Sequence, residues 1–234
     1  VRPFDALPAF RAEGSVSRLN ILPLLGRTDL DSEVNLNWEI SGTSFDPAAA
    51  EWQVVLEGEE SRIDSLEVRA LDVSASWNGA VLDIDRLSSQ INAGTLQASG
   101  RLNLAPDSSD AYSDLTATWL VEDIHTLGPL LGLETVALPR GNVDLQIYGL
   151  PGQLDAQLRV SLSDVTVDNV RLFAIDASAW MLLDRTFLPV STTATLDMGY
   201  TAFPGLALQS SSLQIDQQGE IFSATAQTSV DSGN

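Results

Sequence analysis

Apolar and polar residues alternate with a period of two through most of the chain from Glu33 onward. Val34, Leu36, Trp38 and Ile40 are separated by Asn35, Asn37 and Glu39. The same spacing recurs in Leu66/Val68, Leu82/Ile84, Leu102/Leu104, Leu145/Ile147, Leu158/Val160/Leu162 and Leu213/Ile215. Successive side chains of a strand point to opposite faces, so this pattern predicts strands with one dry and one wet face. Turn chemistry divides them at Asn78-Gly79, Ala93-Gly94, Gly141-Asn142, Pro151-Gly152 and Gln218-Gly219, and the acidic stretch Glu57 to Glu60 reads as a charged hairpin turn. Frequent turns favour an antiparallel meander over β-α-β units. Helical signals are short: Asp46-Pro47 before three alanines, and Asp123 to Leu127 before Gly128-Pro129. Phe4 to Ala12 is ambiguous, and Pro8 argues against a long helix there. The fold class expected is all-β, a long curved antiparallel sheet forming an open trough, with a few short helical turns.

The chain resembles itself. Ile63–Ser76 lies over Val167–Trp180 at a constant offset of 104, with Asp64/Asp168, Ala70/Ala174, Asp72/Asp176, Ser74/Ser178 and Ala75/Ala179 identical. Upstream, Pro23 to Gly26 recurs as Pro129 to Gly132, and each copy precedes an alternating strand. The period slips at Arg69–Leu71 and, in the matching place, at Phe173–Ile175, which predicts a bulge or bend shared by both copies. The organisation expected is a flank at 1–14, repeat units at 15–112 and 113–225, and a flank at 226–234, with the polar stretch 105–112 as the boundary. A unit of this kind has no helix to cover its dry face. It must fold over on itself, close a barrel, stack on a neighbour, or leave a trough. Roughly fourteen to sixteen strands at about 4.8 Å spacing would make a sheet about 65–75 Å long.

Composition narrows the function. The 234 residues carry 32 acidic and 12 basic side chains, a net charge of −20, and no lysine. Nucleic acid is excluded as a partner, because phosphate neutralisation needs basic patches. Flat electrostatic docking on anionic lipid is disfavoured for the same reason; the acidic surface serves to keep a sticky β protein in solution. There is no cysteine, hence no disulfide frame and no thiolate site. No run of 18 apolar residues exists to span a bilayer as a helix. The chain starts at Val1 and ends at Asn234 in the manner of a piece of a larger protein, with any anchor or signal outside it. The lone His125 is not expected to be catalytic, no Gly-x-Ser-x-Gly elbow is present, and zinc is not expected. Asp29/Asp31 and Asp83/Asp85 read as solvated faces, with calcium or a glycosidase-like acid pair as the sharper alternatives. The five tryptophans, Trp38, Trp52, Trp77, Trp119 and Trp180, read as packing residues, Trp38 belonging to the dry face. No enzyme activity, cofactor or metal is expected.

The order of motifs resembles a known family. A Leu24-Leu25-Gly26 segment precedes an alternating strand that ends at Ser41-Gly42, with Asp46-Pro47 just after it. Then come Ser61 to Leu66, Ala70 to Gly79, Leu82 to Leu87, and a closing strand, Gly94 to Leu104, that carries Ala98-Ser99-Gly100. This run is similar to the repeating β units of AsmA-like and TamB-type proteins. The second copy keeps Leu130-Leu131-Gly132, Gly141, Gly149 and the 167–180 block, and departs at its closing strand, where Gly199 to Gly205 stands. The resemblance implies an inner-membrane-anchored envelope protein of the periplasm. Its β-groove would carry phospholipid or another acyl-chain lipid between the inner and outer membranes, or assist assembly with an outer-membrane β-barrel partner. The anchor would lie outside this chain. The groove lining expected from alternation is Leu36, Trp38, Ile40, Leu66, Val68, Leu82, Ile84, Leu145, Ile147, Leu158 and Val160. The alternative is a structural or adhesive surface β-repeat with a closed core, stabilised by calcium.

Overall fold

A computed structural model describes residues 9–22, 31–44, 50–104, 112–123, 136–137, 140–167, 170–184, 188–203, 206–219 and 221–230. Fifteen strands make one sheet. The first seven are β1 (Ala9–Leu19), β2 (Ser32–Thr43), β3 (Glu51–Ile63), β4 (Leu66–Asn78), β5 (Val81–Ile91), β6 (Gly94–Asn103) and β7 (Ser113–Val121). After them come β8 (Val136–Ala137), β9 (Arg140–Leu150), β10 (Gln153–Val167) and β11 (Val170–Leu183). The last four are β12 (Pro189–Met198), β13 (Thr201–Phe203), β14 (Leu206–Gln218) and β15 (Ile221–Val230).

Every pairing is antiparallel and almost every strand pairs with its neighbours in sequence, as the turn spacing predicts. β8 continues β9 along β10 in the same register, and β13 continues β12 along β11 and β14. The fifteen strands therefore make thirteen rungs, and at about 4.8 Å per rung the sheet is roughly 60 Å long. That is shorter than a count of separate strands suggests, because β8 shares a rung with β9 and β13 shares one with β12. Between strands, close contacts are essentially those of hydrogen-bonded neighbours, so the described residues form a single open layer.

The duplication extends to backbone detail. β3 pairs with β4 as β10 pairs with β11, and the shared offset of 104 maps Ile63↔Leu66 onto Val167↔Val170 and Leu56↔Val73 onto Val160↔Ala177. In both hairpins the inward-facing residues step by three instead of two at one place. They go from Gly58 to Ser61 opposite Leu71 to Val68, and from Leu162 to Val165 opposite Ile175 to Leu172. Each strand inserts one extra residue, so the register survives while the ladder bends. The inserted residues Glu60 and Asp164 both take positive φ, 36° and 57°. The expected bend at Arg69–Leu71 and Phe173–Ile175 is thus one half of a matched pair of bulges.

These interruptions lie near one another from rung to rung. Register shifts fall between Val16 and Leu19, between Glu33 and Leu36, and between Val68 and Ala70. In the second half the line runs through Asp164, Phe173, and the gap between β12 and β13. Backbone hydrogen bonds from Phe173 N to Tyr200 O and from Gly199 N to Ala174 O hold the ladder together across that gap. The Phe173 and Tyr200 rings meet edge-on at 5.4 Å, with the Arg171 guanidinium 4.6 Å above Phe173.

Several local expectations give way. Gly141-Asn142 is inside β9 and is no turn; a β-carbon on Gly141 would overlap the Ser161 carbonyl oxygen, so glycine permits close strand approach there. The Glu57–Glu60 stretch is likewise within β3, with Gly58 facing inward opposite Leu36 and Leu71. Ala9–Leu19 is a strand, so the ambiguous N-terminal segment is sheet from Ala9 onward, and part of each flank assigned to 1–14 and 226–234 belongs to β1 or β15. No α-helix occurs among the described residues. The helical signals at Asp46–Ala50 and Asp123–Leu127 and the boundary at 105–112 fall almost wholly outside them.

Closed packing is scarce. Among the described residues only Leu22, Ala50, Ala93, Val121, Leu154, Ala156, Val165 and Leu183 are buried apolar side chains. One cluster forms a small core, Leu154, Ala156 and Leu183, with Ile147 and Met181 packed against it. Removing a sealed side chain costs transfer energy plus a cavity. Leu154→Ala is therefore expected to lower stability by about 2–4 kcal/mol in urea unfolding, against well under half of that for Leu56→Ala on the half-exposed inner face.

Candidate functional site

Register decides which side chains share a face. One row runs Trp38–Leu56–Val73–Leu87–Ala98–Ala117 across the first half of the sheet. Ala117 pairs with Leu145, and the row continues Leu145–Leu158–Ala179–Ala194–Ile215–Ala224 to the last strand. Twelve successive rungs thus contribute an apolar residue to one line along the length of the sheet. The next row on one side contains Ile40, Val54, Ala75, Ile84, Leu115 and Ile147; on the other side lie Leu36, Leu71, Leu96, Trp119, Val143 and Val160.

All eleven residues expected to line a groove fall on this face. Leu36, Trp38, Ile40, Ile84, Leu145, Ile147, Leu158 and Val160 sit in the three rows just described. Leu82 lies opposite Trp77 and Leu102, Val68 opposite Ser61 and Ile91, and Leu66 opposite Ile63. Each of the eleven is half-buried. Side chains of this face shield one another, whereas those of the outer face are mostly exposed, as in the alternating exposure of Glu51–Glu57 and Asp114–Leu120. That asymmetry is what a sheet bent toward its apolar side produces.

The alternation also ran through strands left off that list. Trp52, Val54 and Leu56 of β3, and Leu196, Leu213 and Ile215 of β12 and β14, belong to the same face. Small residues hollow it: Ala177, Ala179 and Ala194 sit among Leu158, Val160, Leu196, Leu213 and Ile215 around an apolar depression of about 230 Å³. The pairing of large with small residues is legible in sequence only once the register is known.

Four tryptophans, Trp38, Trp52, Trp77 and Trp119, face inward, whereas Trp180 pairs with Gln157 and Thr193 on the outer face and is 38 % exposed. Trp52 Nε1 donates to the Ser44 carbonyl at 2.9 Å. Trp119 Nε1 is enclosed without an acceptor among the described residues.

The outer face carries the charge. Arg101 donates two hydrogen bonds to Asp83 at 2.6 and 3.0 Å, which raises its pKa above the ordinary arginine value. Arg86 pairs with Asp72 at 2.7 Å and Arg11 with Glu39 at 3.0 Å. These pairs are solvated and each contributes little to stability. Asp83 is thus neutralised by arginine, and Asp85 accepts a hydrogen bond from Ser74 at 3.2 Å. Among the described residues no three acidic or histidine side chains come together to hold a metal ion. His125 and Asp29 lie outside the described residues. The melting temperature is accordingly expected to be the same in chelator and in excess calcium. A sharp rise with calcium would restore the metal-stabilised alternative.

No helix of the described residues is long and apolar enough to cross a membrane. No family model, curated protein or solved structure matches this chain.

Proposed function

We propose that this chain is a lipid-conduit segment, a passive trough whose inner face holds acyl chains in transit between membranes of a bacterial envelope. The observation that carries the reading is the apolar row, open to solvent, that crosses twelve rungs without a charged residue. A large apolar surface left uncovered on a soluble sheet marks a binding surface for something apolar. Its shape selects the class of ligand. A line of side chains one residue wide and tens of ångströms long fits a flexible hydrocarbon chain better than a compact molecule.

Energetics suit transport as well as binding. Each methylene withdrawn from water is worth about 0.8 kcal/mol, so a whole acyl chain binds firmly. Neighbouring rungs offer nearly the same surface, so a shift of one rung gives up contacts and regains equivalent ones. No step requires an acid, base or nucleophile, and the reading is of a binding protein and not an enzyme. The resemblance to AsmA-like and TamB-type repeats supports the periplasmic setting, an outer-membrane barrel partner and an anchor elsewhere in the parent protein.

The first experiment is mass spectrometry of organic extracts from the purified chain. Phospholipid is expected at a stoichiometry that survives detergent-free washing. A chain that emerges free of lipid and takes up none from vesicles would favour the scaffold alternative.

A further inference from the structure

The two copies fold alike and differ in depth. β3–β4 and β10–β11 match at the offset of 104, so their inward-facing pairs can be compared directly. Leu56↔Val73 in the first copy becomes Val160↔Ala177 in the second, with less bulk on both strands. In the next row Val54↔Ala75 becomes Leu158↔Ala179. The third strand decides what surrounds that alanine. Ala75 is bounded by Ile84 on β5, whereas Ala179 opens onto Ala194 on β12.

The result is the depression of about 230 Å³ in the inner face. Leu158 and Ile215 stand at its two ends with Ala179 and Ala194 between them, a span of about 14 Å across three rung spacings. Val160, Leu196 and Leu213, all half-buried, flank it around Ala177. Ser178 and Thr195 also border it, but their hydroxyls hydrogen-bond to each other at 2.8 Å on the outer face, so neither is turned into the hollow. Each of the four strands is paired on both sides, and the hollow belongs to the interior of the sheet.

Atoms that line an unfilled gap lose the contacts they would make on that side. The same backbone in the first copy keeps its bulk, so the fold does not require the loss. A straight methylene chain laid along the row runs from Leu158 to Ile215 over the alanines and leaves the space beneath it empty. An apolar cavity of about 150 Å³ holds a benzene molecule, and this hollow is larger. We propose that it is a seat for a bulky hydrocarbon group on a lipid chain, of the size of a six-membered ring. The proposal rests on the reading of the inner face as a trough for acyl chains, and adds a place in it where one chain shape is preferred.

The test is titration of the whole chain with two fatty acids of equal carbon number, hexadecanoic acid and one that ends in a cyclohexyl ring. Seating the ring restores contact worth roughly two methylenes, so the cyclohexyl acid is expected to bind about tenfold more tightly. Ala179→Leu and Ala194→Leu refill the hollow from different strands, and each is expected to bring the two acids to equal affinity with circular dichroism unchanged. Ala177→Val, a milder filling that copies Val73 of the first unit, should lower the ratio severalfold. Thr193→Leu adds bulk beside Ala194 on the outer face and should leave the ratio as it is. Equal affinities in the wild-type chain, a ratio that survives the alanine variants, or one lost in Thr193→Leu would overturn the seat and leave the trough standing. A wild-type chain that binds neither acid would overturn both.

Discussion

The variant Ile84→Arg is expected to remain folded and to lose its lipid. Ile84 faces inward opposite Ala75 and Gly100, so a longer side chain has room beside it. In an open trough the guanidinium reaches water along its own aliphatic stem, and the cost to stability stays below about 1 kcal/mol. In a closed core the same change buries an unpaired charge and costs about 3–5 kcal/mol. Loss of contact with only two methylenes removes about 1.6 kcal/mol of binding, more than a tenfold fall in affinity. The readouts are urea unfolding and the lipid content of the purified variant. Ile147→Arg sharpens the comparison, because Ile147 packs against the sealed cluster of Leu154, Ala156 and Leu183. It should lose lipid and also lose stability, by visibly more than Ile84→Arg. Equal destabilisation by both would mean that the face is sealed along its whole length.

The second large effect concerns the backbone. Gly100 holds a φ of 122°, and a β-carbon there would overlap the carbonyl oxygen of Asp114 on the next strand. That conformation is essentially reserved for glycine, and forcing another residue into it costs about 1–3 kcal/mol before any clash is counted. Gly100→Ala is therefore expected to destabilise by at least that amount and to loosen the pairing of β6 with β7. Gly219 is the control: its φ of 58° also favours glycine, but nothing among the described residues lies within 4 Å of the position a β-carbon would take. Gly219→Ala should cost about 1–2 kcal/mol, the left-handed penalty alone. If the two variants unfolded at the same denaturant concentration, the close approach of Asp114 to Gly100 would be wrong.

Much of the sheet was legible because alternation is a local property. Val34 to Ile40 reports its two faces without reference to any other strand, and the eleven residues chosen this way share one face. What could not be read locally depended on partners. Glu57–Glu60 looked like a turn because three acids and a glycine favour one; in the structure Gly58 is an inward rung and Glu60 the inserted residue of a bulge. The bulge is set by the match between β3 and β4, and half of that match was visible at Arg69–Leu71. Gly141-Asn142 failed for a similar reason: its glycine serves close approach between strands, which a single sequence expresses in the same letters as a turn. Trp180, read with the other tryptophans as a packing residue, stands instead on the outer face beside Gln157 and Thr193. The alternation of the outermost strands is faint in sequence because their central inward positions are small, Ala12 and Gly14 on β1 and Ala224 and Ala226 on β15.

The most direct test of the central claim uses two adjacent residues on opposite faces. The chain contains no cysteine, so Leu145→Cys and Gln146→Cys each provide a single attachment point for a photoreactive probe. Leu145 lies in the apolar row between Ala117 and Leu158, and Gln146 is exposed on the outer face between Thr116 and Gln157. After incubation with phospholipid vesicles and illumination, lipid is predicted to be attached through position 145 and not through position 146. Equal labelling at both positions, or none at either, would contradict a trough that holds acyl chains on its inner face.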